Sequence, residues 1–179
     1  MAWVTEPGEA GPARDVEHEH VAREERAVPT AAASGPVSHQ LFRAARLHRM
    51  LAGYLLRDLG LHRGQELLLM HLWDSGPARQ TELIEVLDSD SPTMTRMVQR
   101  LEKAGLVERV PDPTDGRASL VSTTAASETL RRQIEQMWHD LEVATVGDLT
   151  PADLSPVLAT LGRIEANLAK AVARIRLTP

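Results

Sequence analysis

A chain of 179 residues is somewhat longer than one ordinary domain, and its 42% hydrophobic content can supply a single core, so one compact domain with a tail is expected. Cysteine is absent, which excludes disulfides, thiolate metal ligands and cysteine-based peroxide sensing. No apolar run is long enough to span a bilayer and the N-terminus lacks the basic start and apolar block of a secretory signal, so a cytoplasmic protein is expected, while the net charge of -5, taken as a total, counts against an anionic partner.

Residues 1–37 read as an acidic, disordered extension. Glu6, Glu9, Asp15, Glu17, Glu19, Glu24 and Glu25 face only Arg14, Arg23 and Arg26, and Pro7, Pro12, Pro29, Pro36 and the Ala31–Gly35 run disfavour packing. One short helix between Arg14 and Val28 is expected. His18, Glu19 and His20 do not form a metal pattern, because helical zinc sites place their histidines four apart. From Ser38 to about Leu59, Leu41, Ala45, His48, Ala52, Leu55 and Leu59 recur at alternating spacings of four and three, which predicts a long helix with an apolar seam. His62 and Glu66 follow, one helical turn apart if a helix spans them.

The stretch from Arg79 to Thr124 carries the functional signal, reading as helix, tight turn, second helix and a two-stranded hairpin. Leu83, Ile84, Val86 and Leu87 are the apolar positions of the first helix, and Asp88, Ser89 and Asp90 make a compact connection. Ser91 can cap the second helix with Pro92 at its first position, where no amide donor is needed. Met94, Met97, Val98 and Leu101 then form a buried stripe, and Thr93, Thr95, Arg96, Gln99, Arg100 and Lys103 fall on the opposite face. Gly105 ends the helix, and residues 106–110 continue as a strand. Residues 112–116 are a turn cluster in which the Asp115-Gly116 pair favours the reversal, Ala118–Ser122 return as the partner strand, and Arg117 stands beside the tip.

Beyond the hairpin, Thr124 can cap a helix whose Leu130, Ile134, Met137, Leu141 and Ala144 repeat the seam spacing. Thr150 and Pro151 open a last helix that Ser155 and Pro156 are expected to restart or kink, with Leu158, Leu161, Ile164, Leu168, Val172 and Ile175 as its stripe. Long apolar faces at both ends predict a homodimer through the terminal helices.

The run Thr93, Met94, Thr95, Arg96, then Leu101 to Arg109, resembles the recognition helix and following strand of MarR-type regulators. Asp112, Pro113, Asp115, Gly116, Arg117, Val121 and Thr124 resemble that family's wing signature, in which an aspartate and an arginine are separated by one residue. Thr123 and Ser127 depart from it, standing where leucine and glycine are usual, so the join between wing and next helix is expected to pack differently. The resemblance covers roughly residues 38–175. It implies a mainly α fold with a small β-hairpin wing: a winged helix-turn-helix lobe at 61–123, flanked by dimerisation helices at 38–60 and 124–176. It also implies a repressor released by a small-molecule ligand, and the missing cysteines remove the redox-sensing branch.

Charge placement reconciles this with the overall acidity. The extension holds a net -4, leaving -1 for the rest, while residues 91–117 carry Arg96, Arg100, Lys103, Arg109 and Arg117 against Glu102, Glu108, Asp112 and Asp115. Thr93, Thr95, Arg96 and Gln99 are therefore assigned to base edges, with Arg96 able to contact guanine in bidentate fashion, and Ser91 and Arg100 to phosphates. Arg117 suits the minor groove, and Asp115 with Gly116 shapes the wing. The expected partners are a pseudo-palindromic operator in double-stranded DNA, a second copy of the chain and a small-molecule effector whose identity the sequence does not show, with no cofactor, no metal and no membrane. Arg43, Arg46, His48, Arg49 and Tyr54 with Trp73 could border an effector pocket, but helix-surface charges and a buried tryptophan account for them as well, and that plainer reading is preferred. No nucleophile–base pair, paired-carboxylate site or metal cluster is visible, so an enzyme is not expected. The alternatives are a winged helix used as a protein-interaction module and a metal-responsive regulator built on histidines such as His39, His62 and His71.

Overall fold

The computed structural model describes residues 29–176. The expected disorder and helix before position 29, and the His18, Glu19, His20 triplet, lie outside the described residues. The chain divides into two compact units, Met1–Ala44 and Ala45–Pro179. The described part of the first is a 3-10 turn at Thr30–Ala32 and the beginning of α1 (Pro36–Asp58), a helix that starts two residues before the expected Ser38.

The second unit continues with α2 (Gln65–Ser75), β1 (Ala78–Arg79), α3 (Gln80–Val86), α4 (Ser91–Lys103), β2 (Val107–Asp112), β3 (Asp115–Thr123), α5 (Ala125–Val146) and α6 (Pro151–Arg176). The fold is mainly helical with a three-stranded antiparallel sheet in the order β1-β3-β2. β1 was not foreseen. Its two residues pair with β3 through Ala78 opposite Val121 and Arg79 opposite Leu120, so this strand exists only by tertiary pairing.

One core gathers the apolar stripes, with Leu56, Leu68, Leu69, Leu83, Met94, Val98, Leu101, Val121 and Ile134 almost fully buried. α3 contributes Leu83 fully and Ile84 and Leu87 partly, whereas Val86, expected in the same stripe, is 57% exposed and stays outside the core. α5 buries Leu130, Ile134, Met137 and Leu141 within the chain itself, so its seam is not left for a partner as expected, and Ala144 is exposed. Ser127 is buried too: its hydroxyl accepts from Trp73 Nε1 at 3.2 Å and donates to the Thr124 carbonyl at 2.8 Å, bridging α2 to the start of α5. Glycine there would remove the Trp73 partner, so the departure from the family pattern has a packing function.

Three end signals resolve differently from expectation. Thr124 is the first residue before α5 but makes no capping bond; its hydroxyl donates to the Gly105 carbonyl at 2.6 Å and so ties the end of α4 to the start of α5. α6 runs unbroken through Pro156, and Thr150 donates from both N–H and Oγ1 to Asp153 Oδ2 at its start. α2 begins at Gln65, after a left-handed Gly64, so His62 and Glu66 do not share a helical turn: His62 is exposed and Glu66 buried. Among the described residues no helix is long and apolar enough to cross a membrane.

Candidate nucleic-acid interface

The sequence sets α4 by local rules at both ends. Asp90, not Ser91, is its cap: Oδ1 accepts the Thr93 N–H at 2.7 Å and Oδ2 accepts the Thr93 hydroxyl at 2.9 Å. These bonds hold the Asp90 carboxyl below the ordinary aspartate value, and its charge faces the positive end of the helix dipole. Ser91 becomes the first helical residue and Pro92 the second, a position where a missing amide proton is still harmless. At the other end Gly105 takes φ +70°, its N–H donates to the Glu102 carbonyl and the Leu106 N–H to the Leu101 carbonyl, the paired bonds of a Schellman stop. Asp88, at φ +43°, turns the connection between α3 and α4.

Met94, Val98 and Leu101 face the core, with Met97 packed against it, and the opposite side is polar. Ser91, Arg96, Gln99 and Arg100 are exposed, and Thr93 and Thr95 are half-buried. The structure thus brings six of the seven assigned contact residues onto one helix. Arg96 Nη2 donates weakly to Thr93 Oγ1 at 3.4 Å, and Thr95 Oγ1 accepts from Gln80 Nε2 at 2.8 Å. Gln80 in turn accepts from Arg109 Nη2 at 3.2 Å, and Arg109 pairs with Glu102 at 3.2 Å. Gln80 was not picked out in the sequence, yet it links α3, the outer face of α4 and β2.

The wing is built on a buried carboxylate. Asp112 is 5% exposed; Oδ1 accepts the Thr114 N–H and hydroxyl at 2.8 and 2.7 Å, and Oδ2 accepts two donors of the Arg79 guanidinium at 2.7 and 2.6 Å. The Thr114 donors, followed by Arg79, pull the Asp112 carboxyl down to about 2, and Asp112 raises Arg79 in return. Neither residue was picked out for this role. The reversal also moves: Asp112 pairs with Asp115 across Pro113 and Thr114, after an irregularity at Pro111/Asp112, so the turn precedes the Asp115-Gly116 pair. Gly116 has no left-handed φ and a Cβ there would meet nothing, so the turn makes no demand for glycine at that position. Asp115 Oδ1 accepts the Arg117 N–H at 3.0 Å, leaving the Arg117 side chain exposed at the start of β3.

Among the described residues, no three His, Asp or Glu side chains come together as a metal site. Tyr54 and Trp73 line separate cavities. Tyr54 borders one of about 230 Å³ with Met50, Gly53 and Arg57, and lies under the Arg57 guanidinium. Trp73 borders one of about 280 Å³ between α2 and α5 with Met70, Arg131, Ile134 and Trp138. The Trp138 indole N–H is buried there without a partner.

Comparison with known proteins places this geometry. The model of the family described as MarR matches residues 61–119. The uncharacterized HTH-type transcriptional regulator YwoH of Bacillus subtilis (strain 168) is 32% identical over 115 residues, covering 64% of this chain and 83% of that protein. A mutant MarR of E. coli solved in complex with operator DNA superposes with a TM-score of 0.68 at 25% identity, covering 76% of this chain and 99% of that one. BpsR of Bordetella bronchiseptica, solved to explain how 6-hydroxynicotinic acid regulates its DNA binding, gives a TM-score of 0.66 at 25% identity, covering 74% and 95%. With the helix-turn-helix, the three-stranded wing and these likenesses together, the chain belongs to the MarR family of winged helix-turn-helix transcriptional regulators, which are not enzymes.

Proposed function

We propose that this regulator is a repressor that binds a pseudo-palindromic operator as a homodimer and is released by a small-molecule effector. The observation that carries the reading is the polar face of α4: Arg96, Gln99 and Arg100 are exposed there, and neither Arg96 nor Arg117 is held in a salt bridge among the described residues. Thr93, Thr95, Arg96 and Gln99 read base edges in the major groove, Ser91 and Arg100 hold phosphates, and Arg117 enters the minor groove. Residues 38–60 and 124–176 supply the dimerisation helices, the second span through the exposed stripe of α6 rather than the buried seam of α5, and 61–123 the DNA-binding lobe. The E. coli relative bound to operator DNA supports the partner, and the 6-hydroxynicotinic acid response of BpsR supports control by an effector. The cavity between α2 and α5, with its two tryptophans and unpaired indole N–H, is the place assigned to that effector.

The test is fluorescence anisotropy of duplexes tiled across the DNA upstream of the gene, in excess competitor DNA, comparing wild type with Arg96→Ala plus Arg117→Ala. One segment is bound tightly by wild type, the binding weakens with salt, and the double variant loses it. Equal binding by the double variant overturns the assignment of the DNA face.

A further inference from the structure

Outside the helix-turn-helix, the loop between α1 and α2 carries two basic side chains, His62 and Arg63; Arg63 borders both the Tyr54 cavity and a second depression beside α4. Gly64 holds φ +88°, a conformation that favours glycine, and lies beside Met97 of α4, whose Cε would stand 3.0 Å from a Cβ at that position. Arg63 lies against α1 at its other side, where a Cβ on Gly53 would come within 3.0 Å of Arg63 Nε.

The depression beside α4 is small, about 110 Å³, and is lined by His62, Arg63, Gln65, Thr93, Arg96, Met97 and Arg100. Three arginines and a histidine border it and no Asp or Glu does, although Asp90 acts on Arg96 from the cap. None of His62, Arg63 and Arg100 is in a salt bridge among the described residues. These groups are exposed to solvent, and gathering them around one depression without a bordering carboxylate leaves a local positive field that an anion complements. Its volume is far below the roughly 300–1,000 Å³ of small-molecule sites, so it suits one tetrahedral anion and not a metabolite.

From this arrangement we infer that the depression is a phosphodiester site: His62 and Arg63 join Arg100 in holding one backbone phosphate of the duplex beside the groove that α4 enters. The inference rests on the DNA-binding reading above and extends the contact surface to the α1–α2 loop, which carries no sequence readout. Arg63 acts by charge, with the α1–α2 loop setting its reach.

The experiment measures operator affinity against salt for wild type, Arg63→Gln and Arg63→Lys, each checked for fold by thermal melting. Each neutralised phosphate contributes about 0.9 to the log–log salt slope, and Arg100 stays on the shared phosphate, so Arg63→Gln in both halves of a dimer flattens the slope by at most about 1.8. Between 50 and 200 mM salt, wild type then loses up to about tenfold more affinity than the variant. Arg63→Lys retains the wild-type slope, and the ranking of operators with single base changes is the same for all three. A second arm replaces single operator phosphates with neutral methylphosphonates: one position per half-site weakens wild type more than it weakens Arg63→Gln, and all other positions weaken both equally. An unchanged slope in a folded Arg63→Gln that still binds its operator overturns this inference alone. Failure of wild type to bind any duplex overturns the DNA-binding reading and this inference with it. Stabilisation of wild type but not Arg63→Gln by inorganic phosphate at matched ionic strength, with an unchanged DNA slope, assigns the site to a free anion and also overturns it.

Discussion

Asp112 carries more of the wing than any residue on its surface. Its two oxygens take four donors in a setting that excludes water, so ionised aspartate is the only form that satisfies all of them. Because the folded carboxyl lies at about 2 against an ordinary 3.8, its stabilising contribution is complete above the ordinary value and is lost as pH falls through the folded one. Thermal unfolding of wild type and Asp112→Asn as a function of pH checks this. Wild type melts higher at pH 5, and the gap closes as the pH approaches 2; a gap independent of pH would refute the assignment. The sequence displays Asp112 only as a turn residue, because its partner Arg79 lies 33 residues away and no local pattern pairs them. The cap of α4 was legible in kind but not in place. Asp90 and Ser91 are adjacent good caps, proline is tolerated at either of the first two positions, and only the two hydrogen bonds that Thr93 donates to the Asp90 carboxylate decide between them.

At the level of elements, what could be read ahead depended on how local the cause was. α4 could be read almost entirely, since its cap region, apolar stripe and glycine stop all lie within its own span and the first residues beyond it. Val86 could not, because α3 is only seven residues long and the helical period alone does not say which side of so short a helix meets the core. β1 was invisible for a stronger reason: two residues have no periodicity, and their strand is defined by β3. The buried underside of α4 is what aims its polar face, and Met94 is fully enclosed there. Truncating it removes transfer energy and leaves a cavity, so Met94→Ala costs about 2–5 kcal/mol, measured by urea unfolding. At protein concentrations and temperatures where the variant remains folded, its operator preference stays that of wild type; a changed preference would show that Met94 does more than pack.

At the scale of the molecule, the large apolar side chains left uncovered among the described residues lie mainly on α1, where Val37, Phe42, Leu47 and Tyr54 are exposed, and on α6. Leu158 is 67% exposed, Leu161 47%, Leu168 53%, Val172 46% and Ile175 74%, along a helix with no fully buried residue. A 26-residue helix with such a stripe and little of it packed on the chain is stable only if something covers it, whereas α5, with its seam already buried, has no such need. Both helices carry the same apolar spacing, and only the packed fold separates the seam used within the chain from the one left outside. A second copy of the chain is the covering surface in our reading, and it sets a joint prediction. Leu161→Asp with Leu168→Asp places charge in the centre of the α6 stripe without touching the core around Met94 and Val98. By sedimentation the wild type is a dimer and the variant a monomer, with helical content retained in circular dichroism except for fraying of α6. Operator affinity falls about 10²–10⁴-fold, because two half-sites no longer share one tethered pair of recognition helices. A variant that stays dimeric with unchanged affinity would move the interface off this stripe, and a monomeric variant that binds as tightly as wild type would remove the dimer from the mechanism.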